Sequence, residues 1–249
     1  MKAKTIATAA ALLVLCNISG CATVDTSNSL VNSDVQLIPL SMPMPVKTIE
    51  IYNEKTKKRV DADVLSLKSS DIRARLTGYD TFVTIEQFNS SGSLTYLGSG
   101  GKVSRGKYRV TFDYTNYTNQ KVSFNDSDKP AIGRIGVGLR ITADLTTSAN
   151  EVDLSGLLPL GFAAEDKKVT GSLRFLVYGM SNDKIPLAAP TQQILDVSAI
   201  QKSFEAAATV RVLFGLEETR LEPWLIGVSG VKPAEADQAI KAATNKLIK

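Results

Sequence analysis

Strict alternation of apolar and polar residues marks the clearest strands of this chain. The longest such pattern covers residues 135–145, where apolar side chains at every second position alternate with Gly, Arg, Thr and Asp. The segments 81–89, 108–114 and 170–180 show the same two-residue period. This period is typical of β-strands, because successive side chains point to opposite faces of a sheet. Turn-forming residues between these segments favour antiparallel pairing.

Helical periodicity is confined to the C-terminal half. Apolar residues three and four positions apart predict a helix over 199–214, with the capping-box spacing of Ser198 and Gln201 at its start and Gly215 as a left-handed C-cap. The tail 233–249 predicts a terminal helix that begins at a proline. The segment 154–164 predicts either a short helix or a buried loop interrupted at Pro159.

These elements together predict the α+β class. We expect an antiparallel β-rich N-terminal half and mixed strands and helices in the C-terminal half. The polar segment 126–130, which ends in a proline, separates the two. The body of the chain is therefore divided into a β-rich domain or subdomain at 47–128 and an α+β domain or subdomain at 129–249.

The first twenty residues have the pattern of a secretory signal. Lys2 and Lys4 precede an uncharged run over 5–16, which a short polar stretch follows. About a dozen apolar residues are too few to cross a hydrocarbon layer roughly 30 Å thick as a helix. We therefore interpret 1–20 as a signal peptide and exclude it from the fold.

The end of this signal resembles the lipobox of bacterial lipoproteins: Ile18, Ser19 and Gly20 precede Cys21. The resemblance covers only the leader. It implies cleavage between Gly20 and Cys21, a diacylglyceryl thioether on the Cys21 sulfur and acylation of the freed amine. Two or three acyl chains anchor a protein stably, whereas one holds it only marginally. The alternative is an ordinary cleaved leader with a chance cysteine at its end.

The resemblance also implies a location. Ala22, rather than aspartate, follows the cysteine, and in the enteric-type sorting rule this favours the outer membrane of a Gram-negative bacterium, with the protein facing the periplasm. Residues 21–46 then comprise the lipidated cysteine and a flexible tether, rich in Ser, Asn and Asp and ending in spaced prolines. A short strand at 35–38 is the alternative within that tether.

Composition excludes several classes of chemistry. The chain has no histidine and two cysteines; the lipoprotein resemblance implies that Cys16 is removed with the leader and that Cys21 is lipidated. Ser-His and Cys-His nucleophiles and the usual zinc sites are therefore excluded. With 29 basic and 25 acidic residues, the chain lacks the concentrated basic surface that nucleic acid binding requires. We expect no metal, cofactor or nucleotide, and we interpret Gly136 and Gly138 as strand positions of close packing.

Two other functional classes compete with a binding role. Glu217, Glu218 and Glu222 lie near the single Trp224, which suggests a carboxylate-dependent enzyme or binding module for cell-wall glycan. The alternating strands also suggest a subunit of an oligomeric pore, although an integral barrel needs at least about eight such strands.

The sequence favours a non-enzymatic, lipid-anchored envelope protein with a structural or protein-interaction role. Its partners are then the membrane, through the anchor, and another protein of the envelope. Arg140 and Arg174 lie on the less apolar faces of their predicted strands, and we expect them to form the interaction surface.

Overall fold

A computed structural model describes residues 37–53, 55–98, 101–124, 130–185 and 192–248. Its strands are β1 Ile38–Pro45, β2 Thr48–Asn53, β3 Lys58–Asp63, β4 Gly78–Phe88, β5 Leu94–Gly98, β6 Lys102–Val103, β7 Gly106–Val122, β8 Ala131–Thr147, β9 Val152–Asp153, β10 Val169–Tyr178, β11 Met180–Ser181, β12 Gln192–Ile194, β13 Arg220–Leu221 and β14 Trp224–Ser229. Its helices are α1 Ser69–Arg75, α2 Leu157–Glu165, α3 Val197–Gly215 and α4 Ala236–Leu247, with short 3-10 turns at Val64–Ser66 and Pro233–Glu235.

One large antiparallel sheet organises the fold. Its strands follow the order β1-β14-β8-β7-β4-β5, and β10 also pairs with β8 and with β12. The sheet curls into a half-barrel, and the helices pack on it, so the α+β class is confirmed. The longest pairing joins β7 to β8 over 17 residues each. This pairing connects the segments 47–128 and 129–249 through one continuous sheet.

The sheet divides at the middle of β8. On the side away from β7, the first part of β8 pairs with β14, from Ile132 to Gly136, and the second part pairs with β10, from Gly138 to Thr147. At this division a Cβ on Gly138 would collide with the backbone carbonyl of Tyr114, and one on Gly136 would meet that of Asn116. The interpretation of both glycines as positions of close backbone packing is confirmed.

Two apolar clusters stabilise the sheet. Helices α2 and α3 cover the apolar side chains of β7, β10 and the second part of β8, including Phe112, Leu139 and Leu173. A second cluster surrounds the first part of β8 and β14 and includes Leu247 of α4 and Ile72 of α1. The alternating residues of β8 therefore contribute to both clusters with the same face.

The structure corrects the predicted ends of the main helix. The N-cap of α3 is Asp196, whose carboxylate accepts a hydrogen bond from the Ala199 N–H at 2.7 Å, so the capping box expected at Ser198 is wrong. Gly215 ends the helix, but it is not among the glycines with positive φ, and Leu216 is the C-cap. In α2, Pro159 lies in the first turn, where no intrahelical bond requires its missing N–H.

The proline-spaced end of the expected tether has regular structure. Residues 38–45 form β1, which pairs with β14 at the edge of the sheet. Its prolines are compatible with a strand because an edge strand leaves part of its backbone unpaired. The register shifts between Pro39 and Met44, so residues 40–43 bulge away from the regular ladder. Residues 21–36, including Cys21, lie outside the described residues.

No helix in the described ranges is long and apolar enough to cross a membrane.

Candidate functional site

The polar face of the half-barrel is built by strand alternation. Each strand directs every second side chain to this face, and cross-strand pairing aligns those side chains in rows. One row runs from Glu86 through Arg109 to Asp144, and the next runs from Thr84 through Thr111 and Thr142 to Arg174. A third row places Asp113 opposite Arg140. The rows bring charges from four strands, β4, β7, β8 and β10, onto one surface.

The third row contains a buried ion pair. Arg140 donates from Nε to Oδ1 of Asp113 and from Nη2 to Oδ2, both at 2.8 Å, and the two side chains are only 4% and 2% exposed. The remaining nitrogen, Nη1, donates to the backbone carbonyl of Leu40 in the bulge of β1. Arg140 therefore holds the bulge of β1 against the sheet with all three of its guanidinium nitrogens bonded.

A second, more accessible cluster lies beside it. Arg109 binds both oxygens of Asp144, from Nε at 2.7 Å and from Nη2 at 3.2 Å, while Arg174 donates from Nη2 to Oδ2 of Asp144 at 2.8 Å. The hydrogen bond with Asp144 raises the pKa of Arg109, and the ring of Phe88 lies 5.3 Å from its guanidinium carbon. One carboxylate therefore fixes two guanidinium groups, and the Arg174 side chain stays 50% exposed.

These charges surround a cleft of about 270 Å³. Its lining residues come from β1, β4, β7, β8 and β10: Pro39, Leu40, Ser41, Met42, Glu86, Arg109, Thr111, Arg140, Thr142, Arg174, Phe175 and Leu176. The bulge of β1 forms one wall and β10 forms the other. The cleft therefore lies between β1 and the polar side chains of β4, β7 and β8.

Glu86 is the carboxylate in this cleft that lacks a direct ion-pair partner. Burial raises its pKa, against the opposing effect of the positive charges of Arg109 and Arg140. No described residue donates a hydrogen bond to its carboxylate, because the guanidinium of Arg109 is directed at Asp144. Burial, with the charge of Glu86 as a second cause, also raises the pKa of the nearby Tyr96 to about 12.

Arg134, on the same strand as Arg140, packs against two aromatic rings. The guanidinium carbon of Arg134 is 4.0 Å from the ring centre of Phe82 and 4.4 Å from that of Tyr117. Its side chain donates to Asn119 at 3.3 Å, and burial lowers its pKa. The two aromatic rings compensate part of the desolvation of this cation. Arg134 is not among the residues that line the cleft, and we assign it a structural role.

The two arginines predicted as an interaction surface both line the cleft, but in different settings. Arg174 is exposed at its rim, whereas Arg140 is 3% exposed and fully engaged with Asp113 and Leu40. Only Arg174 has its guanidinium accessible for a partner. Gly20 and Cys21, the predicted cleavage and lipidation site, lie outside the described residues.

The acidic residues of the glycan hypothesis are spread along one loop and one strand end. Glu217 and Glu218 are exposed in the turn before β13, while Glu222 forms an ion pair with Arg220 at 2.6 Å. Trp224 packs beside Tyr178 with ring centres 6.3 Å apart and lines a small depression of about 110 Å³ together with Glu222. Among the described residues, no three metal-ligating side chains are grouped to hold an ion.

Sequence reasoning missed four of the charged residues that build the cleft: Glu86, Arg109, Asp113 and Asp144. Their period-two positions are visible in the sequence, since Arg109, Asp113 and Asp144 each lie between two apolar residues and Glu86 follows Ile85. What the sequence did not show is which strands pair and in which register. Pairing places Asp113 directly opposite Arg140, and Arg109 opposite Asp144.

No known protein family, curated protein or solved structure matches this chain.

Proposed function

We propose that this chain is a lipid-anchored protein of the bacterial envelope, held by acyl chains on Cys21 at the periplasmic side of the outer membrane. The support for the anchor is the lipobox-like sequence at 18–21 after an apolar run of signal-peptide length. The described body of the chain begins at residue 37, and Cys21 lies outside the described residues.

We further propose a non-enzymatic role in which the cleft contacts another envelope protein. The observation that carries this proposal is the exposed guanidinium of Arg174, fixed in place by Asp144 at the rim of a cleft whose base is a buried ion pair. A charged group held in advance loses little conformational entropy when a partner binds. Planar guanidinium groups also suit recognition of carboxylate and carbonyl oxygens.

The position of the cleft is consistent with this role. The strand that forms one of its walls, β1, is the first described element after the N-terminal segment that leads to Cys21. A partner bound in the cleft would therefore contact β1, the described strand closest to Cys21 in the sequence.

Charge reversal at Arg174 tests the interaction. The matched control is Arg220→Glu, because Arg220 is also an exposed arginine in an ion pair, at 2.6 Å from Glu222, and lies outside the cleft. Arg140→Glu is unsuitable, since it would place two carboxylates together in the core. Tagged variants are compared by quantitative mass spectrometry of proteins recovered from detergent-solubilised envelopes.

We expect Arg174→Glu to lose at least one partner that the wild type and Arg220→Glu both retain. An unchanged set of partners, or a loss confined to Arg220→Glu, would overturn the assignment of the interaction to the cleft.

A further inference from the structure

The charged side chains of the cleft are balanced in sign. Its guanidinium groups belong to Arg109, Arg140 and Arg174, and the carboxylates beside them belong to Asp113, Asp144 and Glu86. A ligand with a single net charge would upset this balance in a partly desolvated site. A ligand that carries one positive and one negative group would preserve it.

Two charged groups of the cleft, on Arg174 and Glu86, have unused hydrogen-bonding capacity, and they lie at opposite ends of it. At one end, the bond from Arg174 to Asp144 uses Nη2, which leaves Nε and Nη1 of the exposed side chain for an acceptor. At the other end, the carboxylate of Glu86 receives no hydrogen bond from the described residues. The first end is suited to a carboxylate and the second to an ammonium group.

The distance between these ends sets the length of the ligand. Glu86 is on β4 and Arg174 is on β10, with β7 and β8 between them. Three strand spacings of about 4.8 Å give roughly 14 Å along the sheet. Both side chains line the cleft, so the span between their charged groups is shorter than the span between their strands. An extended peptide spans at most about 3.5 Å per residue, so three or four residues fit the distance.

The wall of the cleft already binds one backbone carbonyl of the chain itself. The bulge of β1 lies along one wall, and the carbonyl of Leu40 accepts a hydrogen bond from the buried Arg140. Beyond it, Thr111 and Thr142 contribute hydroxyl groups to the lining. Hydroxyl groups both donate and accept, which suits the alternating N–H and C=O groups of a peptide.

We propose that the cleft binds a short extended peptide of three or four residues, with the carboxylate of the peptide at Arg174 and its amino group at Glu86. The inference rests on the proposed function for the choice of the cleft and goes beyond it, because the ligand is a free peptide with both of its termini bound and not an envelope protein.

Calorimetric titration of the detergent-solubilised mature protein with dialanine, trialanine and tetraalanine tests the length and the charges. We expect saturable binding that is tighter for trialanine or tetraalanine than for dialanine. N-acetyl-trialanine and trialanine amide, which each lack one charge, should bind at least tenfold more weakly than trialanine.

Two variants test which residue of the cleft binds the amino group of the peptide and which binds its carboxylate. Glu86→Gln should remove the difference between trialanine and its N-acetyl form, while Arg174→Gln should remove the difference between trialanine and its amide. Arg220→Gln, outside the cleft, should leave all affinities unchanged. Absence of binding at millimolar peptide, or the same effect of capping in the wild type and both cleft variants, would overturn the inference.

The outcomes separate this inference from the proposed function. If the peptides fail to bind but an envelope partner still depends on Arg174, only the ligand assignment is wrong. If the peptides bind with the expected pattern but Arg174→Glu recovers the same envelope partners as the wild type, the proposed protein-interaction role is wrong and the ligand assignment stands.

Discussion

Arg140 on β8 and Asp113 on the neighbouring strand β7 lie directly opposite each other. They form a bidentate ion pair at 2.8 Å that is almost entirely buried. The same arginine reaches the carbonyl of Leu40, so this pair connects the middle of the sheet to the strand nearest the N-terminal segment. The wall of the cleft therefore depends on a buried charge whose partner is one specific carboxylate.

Removal of that carboxylate should be costly. Asp113→Ala leaves the guanidinium of Arg140 buried without a counter-ion, and such changes reduce the free energy of unfolding by about 3–5 kcal/mol. Urea denaturation measures the loss. As a control, Lys102→Ala breaks an exposed pair with Glu151 at 2.6 Å and should cost far less than Asp113→Ala, because exposed ion pairs contribute little to stability. Similar small losses for both variants would contradict the role given to the buried pair.

The division of the sheet at β8 gives a second prediction. Gly138→Ala places a methyl group against the carbonyl of Tyr114, and because the obstacle is backbone, relief requires the strands to move apart. We expect a loss of about 3–5 kcal/mol, the range of severe core substitutions. Gly215→Ala is the matched control, since a Cβ there meets no atom within 4 Å and alanine is the better helix former, by about 0.5–1 kcal/mol. Equal effects in chemical denaturation would contradict the packing argument.

The start of α3 gives a third prediction. Asp196→Ala removes the side chain that caps the helix and should reduce the free energy of unfolding by about 1 kcal/mol. Ser198→Ala, one residue into the helix, should change it by less than about 0.5 kcal/mol. The two variants are compared by urea denaturation, and a larger loss for Ser198→Ala would mean that the helix begins at Ser198 after all.

Glu86 should make stability depend on pH in a defined direction. Burial raises its pKa above the ordinary 4.5, so the folded chain binds this proton more tightly than the unfolded chain does. The resulting stabilisation is complete below pH 4.5 and is lost as the pH rises through the folded-state pKa. Glu86→Gln stays neutral, so we expect a higher melting temperature than the wild type at pH 7 and little difference at pH 4.

The control for this series is Glu151→Gln, since Glu151 is an exposed acid outside the cleft. It should not raise the melting temperature at pH 7. A Glu86→Gln variant that is less stable than the wild type at pH 7 would show that Glu86 has a stabilising partner in the folded state.

The fold was largely predictable where its determinants are local. The alternation over 135–145 predicts β8, and the helical period predicts α3. The terminal helix is predicted from Pro233, which lies in the 3-10 turn just before α4. The cap of α3 was misplaced because Ser198 and Gln201 have capping-box spacing, while the carboxylate that caps the helix, Asp196, lies just upstream. Local spacing does not show which of two neighbouring polar residues folds back onto the helix.

The cleft was predictable only in part, because its geometry is not local. Period-two alternation placed Arg140 and Arg174 on polar strand faces, but an exposed arginine and a buried one have the same pattern in sequence. Arg140 is buried because the bulge of β1, about 100 residues earlier in the chain, covers it, and because Asp113 lies opposite in the register of β7 and β8. Long-range pairing of this kind cannot be inferred from one segment.

The most direct test of the account is intact mass spectrometry of the native mature protein, purified from its own membranes. We predict a chain that begins at Cys21 and carries the mass of a diacylglyceryl group and an added acyl chain. The variant Cys21→Ser should lack that mass and fail to enter the membrane fraction. A wild-type chain with an unmodified amino terminus, or one that begins at another residue, would contradict the account.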